Sequence, residues 1–153
     1  MPTTSDTDHV AHASVTISAS PERVWEALTD PDMIKQYMFG STVTSSWKVG
    51  APITWKGEMK GKPYEDKGSI QRFDPPRLIE YTHFSPLSGQ PDVPENYHLV
   101  RVKLSPADGA TRVDLEQTGN PTEESRKHSE NNWTQMLNGM KKVVETPDVQ
   151  SQV

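Results

Sequence analysis

The chain has 153 residues, enough for one domain with a core of its own. Apolar residues make up 32% and charged residues 24%, and the net charge is −5 with no Lys/Arg cluster, which excludes the basic face of a nucleic-acid binder. There is no cysteine, which excludes disulfides and thiolate chemistry.

The opening MPTTSDTDHV carries neither a basic nor an apolar stretch, so it does not read as a signal peptide. No apolar run reaches membrane-spanning length. The expectation is a soluble, cytoplasmic chain without membrane insertion. It has one domain over residues 10–146 and loose tails at 1–9 and 147–153.

Val15 and Ile17 alternate with Ser14, Thr16 and Ser18, the pattern of a half-buried strand. Ser20-Pro21 and Asp30-Pro31 are then two helix starts only ten residues apart. Each places a capping side chain before a proline, whose missing N–H costs nothing in the first turn. Val24, Trp25 and Leu28 make one apolar face, and Ile34, Tyr37 and Met38 make the next. The residue before a proline is pushed out of the helical region, so the break at Asp30 is encoded. Six strands follow at 41–47, 52–59, 65–73, 77–84, 96–104 and 111–118. KVGA, KGKP, DPP and SPADGA supply turns between them, and the Asp-Gly pair suits a hairpin. With no long helix between them, these strands form an antiparallel meander. A last helix begins after Pro121 and ends before Pro147, with Trp133, Met136, Leu137, Met140, Val143 and Val144 at helical spacing.

The order strand, two short helices, six strands, long helix predicts an α+β domain whose curved antiparallel sheet wraps the last helix. ASPERVWEALTDPDMI, WKVG, GSI, PPRLIEYTHFSPLSG, PENYH and NNWTQMLNGMKKVVE carry a likeness at this point. Over about residues 12–145 the chain resembles the SRPBCC superfamily, with the START-like or Bet v 1-like helix-grip fold. Within it, the chain is similar to homologues of the activator of heat shock protein 90 ATPase. The resemblance implies an apolar chamber for a small organic ligand and no shared reaction, because carriers and enzymes share the fold.

Strand alternation gives the chamber its walls. Ile79 and Tyr81 bring His83 inward, Val100 brings His98 inward, and Val113 and Leu115 bring Gln117 inward. On the long helix, Ser129 and Arg126 lie four and seven residues before Trp133 and continue its stripe. His83, His98, Arg126 and Ser129 are expected to cap walls of Trp55, Ile79, Tyr81, Val100 and Trp133, and to receive the polar end of an anionic or hydroxylated ligand. The plainer reading is that the tryptophans pack a core and Arg126 lies along the surface. The loop SPLSGQPDVPE (85–95) carries three prolines and reads as a semi-rigid rim.

Two inward histidines with no inward carboxylate predict no metal site, and nothing in the sequence calls for a cofactor. No activated nucleophile and no phosphate loop appear, so no catalytic residue is assigned. The resulting expectation is a binder of a small hydrophobic or amphipathic molecule. Two alternatives stay open: a module that modulates a chaperone ATPase, and a cyclase- or hydrolase-like enzyme using the chamber histidines.

Overall fold

Ser20 and Asp30 act as their places before proline predict. The Ser20 hydroxyl accepts from the Arg23 N–H at 3.2 Å, and the Asp30 carboxylate accepts from the Asp32 N–H at 3.0 Å. Asp30 itself is extended, at φ −91° and ψ 115°, so one helix stops where the next starts. In the computed structural model, which describes residues 9–38, 40–59, 61–86 and 89–145, these are α1 (Pro21–Thr29) and α2 (Pro31–Tyr37). α1 buries Val24, Trp25 and Ala27, and α2 buries Met33, Ile34 and Tyr37. Leu28 and Met38 sit at the margin of the core. The Tyr37 hydroxyl donates to the Ala27 carbonyl at 2.7 Å and ties one helix to the other.

The strands are β1 (His9–Ile17), β2 (Thr42–Ser45), β3 (Pro52–Met59), β4 (Lys62–Asp74), β5 (Leu78–His83), β6 (His98–Ala107) and β7 (Ala110–Asn120). They form one antiparallel sheet in the order β1-β7-β6-β5-β4-β3-β2. Only β1 departs from a meander, because it pairs with β7. The first and second strands are therefore the two edges of the sheet. α1 and α2 carry the chain from one edge to the other, and a bent connection of two short helices spans a curved sheet as a straight helix would not.

Local chemistry sets the hairpins. Asp108 and Gly109 both take left-handed backbone angles, φ 50° and 82°, between the paired residues Ala107 and Ala110. That is the two-residue turn that Asp-Gly favours. β4 begins at Lys62, earlier than the expected residue 65, and so includes Pro63. Among the described residues 62–66 pair only with β3, and proline is tolerated where a strand has one neighbour. β1 begins at His9, paired with Asn120, so His9 belongs to the sheet rather than to a tail. The other tail residues lie outside those described.

The long helix, α3 (Glu123–Glu145), buries Met136, Leu137, Met140 and Val144 against the sheet. Its side chains also close the free edge of β1. Glu130 accepts the His12 N–H at 3.0 Å, Lys141 donates to the Thr16 carbonyl at 2.7 Å, and Glu145 accepts the Ser18 N–H at 2.6 Å. An open strand edge is a template for unwanted pairing, and these three contacts occupy it. Ile17, Ile70, Val100, Val113, Leu115 and Leu137 are almost wholly buried between sheet and helix. The architecture is the helix-grip α+β fold. No helix among the described residues is long and apolar enough to cross a membrane.

Candidate functional site

Along each central strand the inward row changes from polar to apolar. On β5 it runs His83, Tyr81, Ile79, and on β6 it runs His98, Val100, Val102. Pairing aligns them as His83 with His98, Tyr81 with Val100, and Ile79 with Val102. On β7, Gln117 stands beside Val100, and Leu115 beside Val102. The polar ends of these rows meet the polar half of α3 at a cleft of about 330 Å³. Of the residues predicted to face a ligand, Trp55, Tyr81, His83, His98, Gln117, Ser129 and Trp133 line it.

Three predicted residues do not. Ile79 lies one level deeper, on a void of about 30 Å³ that shares Met38, Trp55, Tyr81 and Met136 with the cleft lining. Val100 is fully enclosed in the core. Arg126 is drawn to carboxylates on its own helix, Glu123 at i−3 and Glu130 at i+4. The hydrogen bonds that Arg126 donates, to Glu123 first and also to Glu130, raise its pKa and keep it charged. Among the described residues the cleft lining contains no lysine and no arginine.

Hydrogen bonds fix what the cleft offers. The His98 Nδ1 lies 2.9 Å from the Thr118 carbonyl, which can only accept, so Nδ1 carries the proton and Nε2 of the neutral ring is an acceptor. This contact requires Gly119. Its backbone is left-handed at φ 83°, and a Cβ there would stand 2.5 Å from the His98 Nδ1. His83 Nε2 lies 3.0 Å from Asp66 Oδ2, so Nε2–H donates to the carboxylate and Nδ1 is left as an acceptor. The two imidazoles are stacked, with centroids 6.4 Å apart, and His83 and Trp55 form a T-shaped pair with centroids 5.1 Å apart. The Gln117 side-chain oxygen accepts the Trp133 indole N–H, which leaves the amide NH₂ as a donor. Ser129 donates to Asn120 Oδ1 at 2.8 Å, so its oxygen is left to accept. Burial raises the pKa of Tyr81 and keeps its hydroxyl protonated.

Sequence reasoning found no inward carboxylate, and the structure supplies one in Asp66. Its Oδ1 is buried with no hydrogen-bond partner among the described residues. Counting back from the buried Ile70 in steps of two gives Gly68, Asp66 and Tyr64, the signal that could have found it. The expected strand 65–73 contains Asp66, but its two apolar residues, Ile70 and Phe73, fall on opposite parities across an irregularity between Ile70 and Arg72, so alternation named no inward face. Tyr64 lies opposite Gly57, where a Cβ would stand 2.7 Å from its hydroxyl, and it hydrogen-bonds Ser41. Met38, Asn132 and Met136 complete the lining. Outside this lining, Asp92 pairs with Lys67 and accepts from the Tyr97 hydroxyl at 2.6 Å, and Tyr97 stacks on Phe84. Among the described residues no three His, Asp or Glu side chains converge as a metal would require. A larger hollow of about 650 Å³ lies beside Arg101 and Arg112. These arginines are already paired, with Glu80 at 2.6 Å and Asp114 at 3.0 Å.

Residues 18–145 match the family described as Activator of Hsp90 ATPase homolog 1-like protein. The chain belongs to that family. ChR145 from Cytophaga hutchinsonii, solved in solution, is 52% identical with a TM-score of 0.79, over 90% of this chain and 94% of that one. The Aha1 dimer from Colwellia psychrerythraea is 20% identical with a TM-score of 0.69, over 90% and 97%. Ara h 8.0201 is 14% identical with a TM-score of 0.71, over 91% and 99%. The last two show a shared fold alone. A comparison with curated proteins gives no match. Membership of the Activator of Hsp90 ATPase homolog 1-like family places the chain in the SRPBCC superfamily, a ligand-binding fold.

Proposed function

We propose that the cleft binds a small, neutral, amphipathic molecule. The observation that carries this reading is the mixed lining of the cleft. Trp55, Tyr81, Trp133 and Met136 supply apolar area, while His83, His98, Gln117 and Ser129 supply hydrogen-bonding groups beside them. A cleft near 330 Å³ is at the small end of ligand sites, which suits a ligand of one or two rings. The expected cap for an anionic or hydroxylated head group included Arg126, which is engaged elsewhere. With no lysine or arginine among the described lining residues, a carboxylate would lose water and gain no counter-charge from them, whereas a hydroxyl could donate to an imidazole nitrogen.

Dye displacement with 2-naphthol, naphthalene and 2-naphthoate tests this. 2-Naphthol should bind about tenfold more tightly than naphthalene, the effect of one hydrogen bond, and 2-naphthoate should bind most weakly. If 2-naphthoate binds best, the neutral-ligand reading fails. If none displaces the dye, cleft binding fails. The family description also supports a second reading, modulation of a chaperone ATPase. Addition of the chain to an Hsp90-type ATPase would have to raise turnover for that reading to stand.

A further inference from the structure

We propose that the cleft is a proton-transfer site in which His83 is the general base and Asp66 positions it, acting on a small carbonyl compound with an acidic α-hydrogen. The proposal rests on the cleft-binding reading and gives that reading a reaction. A lone histidine on a strand is free to take either tautomer. His83 is not, because Asp66 lies 3.0 Å from its Nε2 and holds the proton there. The basic lone pair is thereby placed on Nδ1, and the carboxylate stabilises the imidazolium that forms when Nδ1 takes a proton. Trp55 in a T-shaped pair with the ring and His98 stacked at 6.4 Å limit its rotation.

The step balances without a co-reactant. The α C–H bond breaks, its proton passes to His83 Nδ1, and its electron pair moves into the carbonyl, giving an enolate. The enolate oxygen needs a donor, and Gln117 has its NH₂ left over because its oxygen is held by Trp133. Returning the proton to the same carbon regenerates the ketone, and returning it to a conjugated carbon moves the double bond. The His83 side chain is 28% exposed, so its captured proton exchanges with water before return. An uptake of solvent deuterium therefore reads the step.

The probe is 2-tetralone, a neutral bicyclic ketone with acidic α-hydrogens, in deuterium oxide. Binding is followed by the shifts of the Trp55 and Trp133 indole signals, and exchange by the loss of the α-proton resonance. The parent protein should exchange those protons about a hundredfold faster than free imidazole at equal concentration. His83→Gln should fall to the background rate with 2-tetralone still bound. Asp66→Asn should lower the rate about tenfold or more at unchanged affinity, and Asp66→Glu should restore part of it. A purely structural role for Asp66 would change affinity and rate together. Bound 2-tetralone that exchanges no faster than with imidazole overturns the proposal and leaves ligand binding standing, as does a fully active His83→Gln. The absence of any indole shift overturns both.

Discussion

At the scale of single residues, the cleft is organised by who already holds each proton. His83 and His98 are mirror cases: one gives Nε2–H to Asp66 and the other gives Nδ1–H to the Thr118 carbonyl. Nitrogen-detected spectra of the imidazoles tests this at pH about 8.5, well above the ordinary imidazole value. They should show the Nε2–H tautomer for His83 and the Nδ1–H tautomer for His98. The reverse assignment for either ring would remove the basis of its role. Gly119 is the position least able to change. Gly119→Ala puts a methyl 2.5 Å from the His98 Nδ1 on a backbone at φ 83°, so it should cost about 1–3 kcal/mol and free the His98 ring. A Gly119→Ala protein with parental urea stability and an unshifted His98 signal would contradict this. Which residues turn inward was legible from alternation for His83, His98 and Gln117. Asp66 lay inside the expected strand 65–73, but the irregularity between Ile70 and Arg72 sets its two apolar residues, Ile70 and Phe73, out of phase, so alternation could not say which face turns inward.

At the scale of elements, α3 does two jobs on two faces. Its core face is set by Leu137 and Met140, both fully buried, and not by the larger Trp133, which is only partly buried and spends its N–H on Gln117. Leu137→Ala should therefore cost about 3 kcal/mol, and Trp133→Ala about 2, against the order of their sizes. Urea melts giving the reverse order would mean that Trp133 anchors the helix. Its other face seals β1, partly through Glu145. The Lys141 hydrogen bond first, then the Ser18 N–H, holds the Glu145 carboxyl below its ordinary value of 4.5. A carboxyl depressed on folding stabilises the fold above its unfolded value and loses that contribution as pH falls through the folded one. Urea midpoints of the parent should thus fall more steeply below pH about 4.5 than those of Glu145→Gln. Parallel profiles would show that the contact adds nothing. Periodicity placed α3 correctly but could not place Arg126. A stripe drifts as it is extended by sevens, and two glutamates hold the guanidinium along the helix.

At the scale of the whole molecule, the two interrupted helices, the single curved sheet and the long helix have one consequence: a cleft at one end of an otherwise filled core. The element order was readable because capping residues, prolines and the Asp-Gly turn act locally. Which residues border both the cleft and the deeper void was not readable, because Trp55, Tyr81 and Met136 come together only once β3, β5 and α3 have met. Family membership fixes the fold and leaves the ligand to the lining of this one chain. The most direct test uses the tryptophans as reporters. In a titration of ¹⁵N-labelled protein with 2-naphthol, the Trp55 and Trp133 indole N–H signals should shift together and saturate. Trp25, packed on Phe73 and absent from the cleft lining, should stay in place. Shifts confined to Trp25, or none at all in a folded protein, would contradict a ligand-binding cleft between sheet and helix.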